Sequence, residues 1–577
     1  MVGHTNHMTS NHGKRWLVKL PITQEANEAL AAFSPIMRQV LFNRGFATDE
    51  LARAYLRAEA DFDPSPFQMT GIPVAVERVR FALDQYEPIA IYGDYDVDGV
   101  TATALMVQAL RALGGNVLGY IPNRFDEGYG LNNDALDNLQ AKGIKLVISV
   151  DCGIRSPDEA AHARAIGLDL IISDHHQPAD GDLPQACAVV NPKQAGDVYP
   201  DKDLAGVGVA YKITQALLES IGKIPAGFRA DDLLDLVALG TVADLAPLTG
   251  ENRILVRKGL QKLRETKRQG LFSLAAVSDL PLSSINASSI GFILGPRLNA
   301  AGRLESAQAA YDLLISTDVK TAGELAQQLN NQNRQRQEVT RKIQTEAEAL
   351  ALAEDPAADL LFAIHPDFNA GVVGLAASRL VETYYRPAVV GQISSETTRC
   401  SCRSIPEFHI TDALDLCKDL LIRHGGHAAA AGFTVKNENL EALKQRLKIL
   451  ATEKLRGQDL RQTWNADVEI PLSELKAELL QHLEYLQPTG YGNPEAVFVS
   501  RNVHVTNIRT VGAEGKHLKL VVTDGRVTFD AIGFRLGALR PDLPTQVDLL
   551  YTFESNEFNG RKSLQLNLKD VKPAGES

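Results

Sequence analysis

Cysteine is scarce in this sequence. Five cysteines occur among 577 residues, and none forms a Cys-x-x-Cys pair. Disulfide frameworks and structural zinc sites need closely spaced cysteines, so we expect neither. The five are Cys152, Cys187, Cys400, Cys402 and Cys417.

Long apolar segments are missing as well. No segment approaches the ~18 consecutive apolar residues that a membrane span requires. Residues 1–15 are rich in His, Asn and Thr and lack the apolar core of a secretory signal. We therefore predict a cytoplasmic protein that does not associate with membranes, in which residues 1–15 form a disordered tail.

Positive charge does not dominate the chain. The 59 Lys and Arg residues stand against 71 Asp and Glu residues, for a net charge of −12. This balance argues against indiscriminate nucleic-acid binding, although a local basic groove would still suffice for it. The hydrophobic content of 45% is ordinary for a globular protein, and the length allows about three to five domains.

Strands alternate with helices in the first half of the chain. Short apolar runs at residues 89–92, 117–121, 146–150 and 170–173 indicate buried strands, and residues 100–113 indicate a helix that ends at Gly114-Gly115. This alternation predicts an α/β fold with a doubly wound parallel sheet. Functional groups in such sheets lie beyond the carboxyl ends of the strands.

The second half of the chain changes character three times. Residues 319–354 form a proline-free, charged stretch that predicts a helix of roughly 50 Å. A second α/β unit follows, with a glycine-rich centre at 425–432. Five short alternating runs at 503–511, 517–523, 527–533, 547–554 and 563–568 then indicate a small barrel such as an OB-fold. Asp524-Gly525 and Asn559-Gly560 are typical hairpin turns.

Acidic and histidine residues follow several of the predicted strands. Aspartates at alternate positions in one loop repel one another and raise one another's pKa unless a cation compensates them. Carboxylate and imidazole ligands together suit Mn²⁺ or Mg²⁺ better than Ca²⁺ or a structural zinc ion. The segments are 93–99 (GDYDVDG), 150–153 (VDCG), 173–176 (SDHH) and 241–247 (TVADLAP).

Each segment taken singly has a simpler interpretation. An Asp after a strand commonly caps a helix, a His-His pair commonly lies at the surface, and three aspartates can form an exposed turn. Four such segments in one array of strands and helices favour a metal site instead.

The triplet Asp174-His175-His176 after a strand, with the two segments upstream of it, resembles the DHH phosphoesterase superfamily. The resemblance implies a site with two metal ions, Mn²⁺ or Mg²⁺, that hydrolyses phosphodiesters with a bridging water and no side-chain nucleophile. The metal ligands that it implies are Asp96, Asp98, Asp151, His175 and Asp244, with Asp151 between the two ions.

The resemblance also assigns roles to neighbouring residues. Asp94 stands before the usual pair, and we expect it in the second shell or as an auxiliary ligand. Asp174 is expected to orient its neighbours, and His176 to face the substrate phosphate.

Motifs in the second half resemble RecJ-type nucleases within this superfamily. They are the segments 295–303 (GPRLNAAGR), 365–374 and 488–495 (PTGYGNPE), together with Gly425-Gly426-His427 of a DHH-associated domain. Phe368-Asn369 replaces the Trp-His pair of many relatives, which puts substrate contact by that segment in doubt. Candidate residues for binding the 5′-phosphate and DNA are Arg124, Arg297, Arg303, Ser401, Arg403 and His427; Arg297 and Arg303 compete for one role.

Composition, residue patterns and the resemblance together divide the chain into six segments. They are a disordered tail (1–15), an N-terminal helical segment (16–75), a DHH phosphoesterase domain (76–318), a connecting helix (319–354), a DHH-associated domain (355–458) and an OB-fold DNA-binding domain (459–577). Basic and aromatic side chains of the barrel are candidates for binding a single strand. They are Lys516, His517, Lys519, Arg526, Arg535, Phe529, Phe534 and Phe553; the phenylalanines fit a barrel core equally well.

Three functions compete at this point. The first is a single-stranded-DNA-specific 5′→3′ exonuclease that releases 5′-mononucleotides in DNA repair and recombination. The second is a phosphodiesterase for cyclic dinucleotides or short oligonucleotides, and the third is a non-catalytic relative that only binds. The long helix and the barrel favour the first, and the intact Asp and His positions disfavour the third. We expect a monomer that works with single-stranded DNA, a single-strand binding protein and a helicase.

Overall fold

The computed structural model describes residues 14–58, 64–124, 126–128, 130–179, 181–221, 227–558 and 561–576. Most of the predicted tail and the Asn559-Gly560 turn lie outside these ranges. The chain divides into two compact units. The first unit comprises Ile22–Asn333 and Gln481–Glu495, and the second comprises the residues up to Pro21, Arg334–Leu480 and Ala496–Ser577. Within the described ranges, no helix combines the length and apolarity of a membrane span.

The strands are short in the first unit and longest in the C-terminal barrel. They are β1 (Arg15–Val18), β2 (Ile89–Tyr92), β3 (Val117–Tyr120), β4 (Leu146–Val150), β5 (Asp169–Ser173), β6 (Ala188–Val190), β7 (Leu361–His365), β8 (Ala388–Ile393), β9 (Thr397–Arg403), β10 (Leu421–His427), β11 (Ala430–Lys436), β12 (Thr463–Ala466), β13 (Val468–Glu469), β14 (Phe498–Val511), β15 (His517–Thr523), β16 (Thr528–Gly533), β17 (Gln546–Phe558) and β18 (Arg561–Pro573).

Helices surround both α/β sheets, and a π-helical turn (Ile290–Leu294) lies between α12 and α13. The helices are α1 (Gln24–Ala29), α2 (Pro35–Asn43), α3 (Asp49–Arg57), α4 (Ile72–Asp84), α5 (Val97–Ala112), α6 (Asn133–Ala141), α7 (Pro157–Ala165), α8 (Gly206–Ser220), α9 (Leu234–Ala243), α10 (Gly250–Arg264), α11 (Gln269–Val277), α12 (Ala287–Ser289), α13 (Gly295–Leu304), α14 (Gln308–Ile315), α15 (Val319–Glu354), α16 (Val373–Tyr384), α17 (Ile410–Asp415), α18 (Leu440–Leu455) and α19 (Ala477–Glu484).

A parallel sheet forms the centre of the first unit. Its strand order is β3-β2-β4-β5-β6, and every neighbouring pair is parallel. Strands β2 and β4 are buried along their whole length because helices cover both faces. The predicted doubly wound parallel sheet is therefore confirmed, with β6 as a strand that the sequence pattern did not indicate.

Helix α5 begins three residues earlier than predicted, at Val97. The Asp96 side chain caps it and accepts hydrogen bonds from the backbone N–H groups of Asp98 (2.9 Å) and Gly99 (3.2 Å). The expectation that Asp94, Asp96 and Asp98 all lie in one loop is thus wrong for Asp98, which belongs to the first turn of the helix.

The expected helical segment from residue 16 onward begins instead with a strand. Strand β1 pairs in parallel with β12, so that Trp16 lies opposite Trp464. The Trp16 indole N–H also donates to Asp570 at 2.8 Å. Its partners come from hundreds of residues downstream, which explains why local sequence patterns did not indicate a strand. Helices begin only at Gln24, with α1.

The second unit contains a mixed sheet and a barrel. The sheet has the order β10-β11-β9-β8-β7, with β7 and β8 parallel and the other pairs antiparallel. Phe368 is fully buried in the core beside this sheet. The barrel has the order β13-β14-β15-β16-β18-β17, and it closes through pairing of β14 with β17. The predicted OB-like barrel is confirmed.

A segment close to the C-terminal barrel in sequence belongs to the first unit. Residues Gln481–Glu495 include the 488–495 motif and pack with the parallel-sheet unit. The Tyr491 carbonyl accepts a hydrogen bond from Leu248 N–H at 2.7 Å. Arg253 is buried and donates to the carbonyls of Tyr485 (3.0 Å) and Gln487 (3.1 Å). Hydrogen bonds therefore hold the motif against the segment that follows Asp244.

A buried ion pair joins helices α8 and α10. Lys212 Nζ donates to Glu251 Oε1 at 2.8 Å, and both side chains are at most 2% exposed. Tyr199 donates its hydroxyl to the other oxygen of Glu251. Removing one member of such a pair leaves an uncompensated buried charge.

We expect Lys212→Met to lower the free energy of unfolding by about 3–5 kcal/mol, because the Glu251 carboxylate loses its cation. The double variant Lys212→Met, Glu251→Gln should recover part of the loss, since the amide carries no charge and can still accept from Tyr199. Urea unfolding followed by circular dichroism measures both. A Lys212→Met variant as stable as the parent would contradict the expectation.

Candidate metal centre

The carboxyl ends of three neighbouring strands meet at one edge of the parallel sheet. The loop after β2 carries Asp94 and Asp96, Asp151 follows β4, and Asp174 to His176 follow β5. Asp244 reaches the same place from the C-terminal end of α9. Three groups of possible ligand atoms lie within 4.8 Å of one another: Asp98, His175 and Asp244; Asp94, Asp96 and Asp151; and Asp151, His175 and His176.

Asp98 is held by the N-terminus of helix α8. Its carboxylate accepts the backbone N–H groups of Gly206 (2.6 Å) and Val207 (2.8 Å). A helix N-terminus carries a partial positive charge and unpaired N–H donors, so it stabilises a buried anion. The bonds leave lone pairs on both oxygens for a metal ion.

Asp151 lies in the left-handed region of the backbone, with φ = 63°. This conformation, uncommon for a residue other than glycine, turns its carboxylate toward His175. Asp151 Oδ1 and His175 Nε2 are 3.1 Å apart and buried, and neither atom has a hydrogen-bond partner among the residues that the structure describes. The Leu204 carbonyl raises the pKa of His175, against the larger effect of burial, and Nε2 is the ring nitrogen that faces Asp151.

Asp174 organises the histidine pair. Its Oδ1 accepts the backbone N–H groups of His175 (2.7 Å) and His176 (3.0 Å) and contacts His176 Nδ1 at 2.8 Å, while Oδ2 accepts Ile154 N–H. Burial alone would raise the pKa of Asp174, but the hydrogen bond and charge of His176 hold that pKa below its ordinary value. Burial lowers the pKa of His176, but the hydrogen bond and the charge of Asp174 have the larger combined effect, so the pKa of His176 is raised.

The other carboxylates oppose ionisation. Burial is the largest cause that raises the pKa of Asp94, Asp98 and Asp151 well above the ordinary value, and repulsion from neighbouring aspartates adds to it. Burial and the charge of Asp96 raise the pKa of Asp244 to about 6. Burial and the neighbouring His176 lower the pKa of His175 to about 3, so its imidazole is neutral at pH 7.

These residues fit divalent cations. Within the described part of the chain, one oxygen each of Asp94 and Asp151 and Nε2 of His175 are buried without hydrogen-bond partners, which is costly unless another group binds them. A cation would also compensate the repulsion among the carboxylates. Asp94 belongs to the same group as Asp96 and Asp151, so the geometry favours a ligand role for it over a place in the second shell.

Arg124 lies beside this edge of the sheet. Its guanidinium carbon is 5.0 Å from the centre of the Tyr95 ring, and its charge lowers the pKa of Asp94, against the larger influence of burial. The predicted phosphate-binding arginine thus lies near the metal centre.

Helix α13 packs against the loop of Asp94 and Asp96. Asn299 Oδ1 accepts Val97 N–H at 3.2 Å, and a side chain on Gly302 would lie 2.7 Å from the Tyr95 carbonyl oxygen. Arg303 follows Asn299 by four positions, which places the two on the same helix face. Arg297 points away from Asn299 and donates to Ile293 O (2.7 Å) and Asn330 Oδ1 (3.1 Å).

The remaining candidates lie in the second unit. Arg403 Nη1 donates to Ser401 Oγ at 3.2 Å on strand β9, and Gly374 lies against both side chains. His427 ends the exposed strand β10. Gly426 has φ = 150°, and a side chain there would lie 2.4 Å from the Ala430 carbonyl oxygen. The close packing of the two strands therefore explains why this position requires glycine, and phosphate binding is not needed to explain it.

The barrel aromatics fall into two classes. Phe529 and Phe553 are buried and pack edge-to-face with ring centres 6.0 Å apart, so they belong to the barrel core. Phe534 is 57% exposed and packs edge-on against His517. Of the three phenylalanines proposed to stack on single-stranded DNA, only Phe534 has an accessible ring.

Three residues that position the groups of the metal centre were not predicted from the sequence. Gly206 allows α8 to approach Asp98 and Asp151, Asn299 holds the loop before α5, and Asn191 donates to the His176 carbonyl at 2.9 Å. Asn191 follows the unpredicted strand β6. The sequence could have indicated Asn191, because an apolar run is followed there by Asn-Pro. The other metal-site segments show the same order of a strand and then a polar residue.

Comparisons with known proteins match this architecture along most of the chain. The profile of the DHH family, N-terminal domain, matches residues 88–241, that of the DHHA1 domain matches 357–453, and that of the RecJ OB domain matches 466–570. The single-stranded-DNA-specific exonuclease RecJ of Salmonella typhimurium is 37% identical over 571 residues, which are 95% of this chain and 98% of that protein. The chain belongs to the RecJ family.

Other RecJ proteins support this assignment. The single-stranded-DNA-specific exonuclease RecJ of Bacillus subtilis is 39% identical over 565 residues, covering 96% of this chain and 70% of that one. The crystal structure of RecJ in complex with Mn²⁺ from Thermus thermophilus has a TM-score of 0.83 and 29% identity, covering 97% of this chain and 80% of that one. A second structure of that protein is a complex with Mg²⁺.

Gly206 offers a direct test of how the site is built. A methyl group there would lie 2.6 Å from Asp151 Oδ1 and 2.7 Å from its Cβ. We expect Gly206→Ala to weaken Mn²⁺ binding at least ~10-fold in titration calorimetry, a loss of ~1.4 kcal/mol. Gly208→Ala on the same helix is the matched control, because its nearest contact is an ordinary 3.5 Å to Leu204. Equal Mn²⁺ affinity in both variants would refute the expectation.

Proposed function

We propose that this chain is a metal-dependent, single-stranded-DNA-specific exonuclease that degrades DNA from the 5′ end and releases 5′-mononucleotides. The observation that carries the proposal is the close approach of seven carboxylate and imidazole groups in a chain of the RecJ family. Three of their buried atoms have no hydrogen-bond partner among the described residues. DNA repair and recombination are the processes in which such an activity is used.

Two groups of ligands suit Mn²⁺ or Mg²⁺. Asp98, His175 and Asp244 would hold one ion, and Asp94 and Asp96 the other, with Asp151 beside both groups. Bound divalent ions supply Lewis acidity, which lowers the pKa of water and neutralises charge on phosphoryl oxygens.

The protein's own residues orient and confine the reactants. Asp174 holds His176 through its ring nitrogen, and the His176 side chain is 40% exposed, so that it can face a substrate phosphate. The helix α8 N-terminus fixes Asp98, and its hydrogen bonds offset part of the rise that burial causes in the pKa of Asp98. The neutral His175 offers a lone pair. No side-chain nucleophile is required.

Recognition of the strand end requires cationic and hydrogen-bonding groups. We assign it to Arg124 beside Asp94, and to Arg303, which lies on the face of α13 that packs on the metal loop. Arg297 is the alternative to Arg303. The Ser401–Arg403 pair and His427 are the candidates in the second unit.

The wider context of the proposal follows from family membership and composition. We place the phosphoesterase domain at residues 76–318, the connecting helix at 319–354, the DHH-associated domain at 355–458 and the DNA-binding barrel at 459–577. We also propose a cytoplasmic monomer that acts on single strands exposed by a helicase, together with a single-strand binding protein. The alternative function, a phosphodiesterase for short oligonucleotides or cyclic dinucleotides, is not favoured, because the family match extends through the barrel.

A comparison of substrates tests the function. A long single strand, a blunt duplex and a dinucleotide, each labelled at the 5′ or 3′ end, are incubated with the protein and Mn²⁺. We expect labelled mononucleotides at the earliest times from the 5′-labelled single strand and no cleavage of the duplex. Cleavage of the dinucleotide alone would instead establish the alternative function.

Asp244→Asn tests the metal centre within the same assay. We expect a loss of activity of about 100-fold or more, because an amide binds divalent ions more weakly than a carboxylate. Thermal stability in EDTA should be unchanged or higher, since one of several repelling charges is removed. Asp203→Asn, at an exposed position, is the control. Full activity of Asp244→Asn at saturating Mn²⁺ would exclude Asp244 as a ligand.

Phe534 provides a test of strand binding by the barrel. Base stacking on an exposed ring contributes ~1–3 kcal/mol, so Phe534→Ala should weaken binding of a labelled single strand about tenfold in fluorescence anisotropy. Tyr86→Ala is the matched control, because Tyr86 is 78% exposed and precedes β2, at the opposite edge of the sheet from the metal centre. Equal affinities of the two variants would assign the strand to another surface.

A further inference from the structure

Lys193 belongs to a loop that runs beside the His175–His176 loop. Strands β5 and β6 are parallel neighbours, with Ser173 opposite Val190. Lys193 stands three residues beyond the end of β6, just as His176 stands three residues beyond the end of β5. Neighbouring strands lie ~4.8 Å apart, so the two loops leave the sheet side by side at the metal centre.

The backbone around Lys193 is fixed on both sides. Asn191 is fully buried, and its side chain accepts Lys193 N–H at 2.7 Å while donating to the His176 carbonyl at 2.9 Å. Gln194 is also buried, and it donates to the carbonyls of Thr70 (3.2 Å) and Val189 (3.1 Å). The base of the Lys193 side chain is therefore tied directly to the histidine loop.

None of these contacts involves the ammonium group of Lys193. The side chain is half-buried, and within the ranges that the structure describes Nζ forms no hydrogen bond or ion pair. By contrast, Lys202 on the same connection is paired with Asp197 at 2.8 Å. A rigid base with an unpaired cationic end is the arrangement expected of an anion-binding side chain.

The charge of Lys193 acts on the metal centre. Burial is the largest influence on both His175 and Asp244, but the positive charge of Lys193 also lowers the pKa of each. Arg124 acts on Asp94 instead. The two cations thus influence different groups of ligands.

We infer that Lys193 binds a non-bridging oxygen of the scissile phosphodiester. This inference rests on the proposed function, and it adds a catalytic residue that contacts substrate without binding metal. A lysine suits this role because its ammonium is a compact charge that attracts a phosphate without requiring the paired geometry of an arginine.

The test compares Lys193→Met with Lys193→Arg and with Lys142→Met. Lys142 is exposed at the end of α6, before β4 begins, so its substitution removes the same charge at the opposite edge of the sheet. The substrates are a 5′-phosphorylated dinucleotide and a long 5′-phosphorylated single strand, with Mn²⁺ and at several KCl concentrations. Calorimetry measures the affinity of each variant for Mn²⁺ alone.

We expect Lys193→Met to lower kcat/KM at least tenfold on both substrates and by similar factors, because both contain the scissile phosphodiester. The dependence of log(kcat/KM) on log[KCl] should become shallower by about 0.7 for the long strand, the value of one lost phosphate contact. Lys193→Arg should recover most of the activity, and Mn²⁺ affinity should be unchanged or higher in Lys193→Met.

Several results would overturn the inference. They are equal activity of Lys193→Met and Lys142→Met, a loss on the long strand only, an unchanged salt dependence, or weaker Mn²⁺ binding in Lys193→Met. Failure of the proposed function is distinguishable from these, because the unsubstituted protein would then leave the long strand intact.

Discussion

The site depends on one electrostatic constraint: several carboxylates are buried together at one edge of a sheet. Burial and mutual repulsion both raise the pKa of Asp94, Asp98 and Asp151, so the ionised site is unfavourable without positive charge. The fold supplies part of that charge through the N-terminus of α8 and through Arg124 and Lys193. Divalent cations would supply the rest, which explains why some buried oxygen and nitrogen atoms of the site have no hydrogen-bond partner among the described residues.

Much of the surrounding structure keeps these groups at short distances. Gly206 permits contact between α8 and Asp151, and the Lys212–Glu251 pair fastens that helix to α10. Asn299 fixes the loop before α5 from one side, and Asn191 fixes the histidine loop from the other. These contacts join segments that are tens to hundreds of residues apart, so the geometry of the site is a property of the whole first unit.

The structure also separates residues that look equivalent in sequence. Arg297 and Arg303 occupy the same motif, yet they lie about 120° apart around α13. Arg303 is about one turn from Asn299, which contacts the metal loop. Phe529, Phe534 and Phe553 all lie in the barrel, yet only Phe534 is exposed. Helix periodicity would have separated the arginines once the packed face was known, and strand pairing was needed to separate the phenylalanines.

The sequence by itself determined the chemistry of the site and the type of fold. Apolar runs followed by Asp or His mark strand ends, and such local patterns reflect interactions between residues a few positions apart. Only the tertiary structure decided which partners meet: β1 with β12, Asp98 with Gly206, and Gln481–Glu495 with the first unit. These pairings arise from packing and buried hydrogen bonds between distant segments, and no local period in the sequence encodes them.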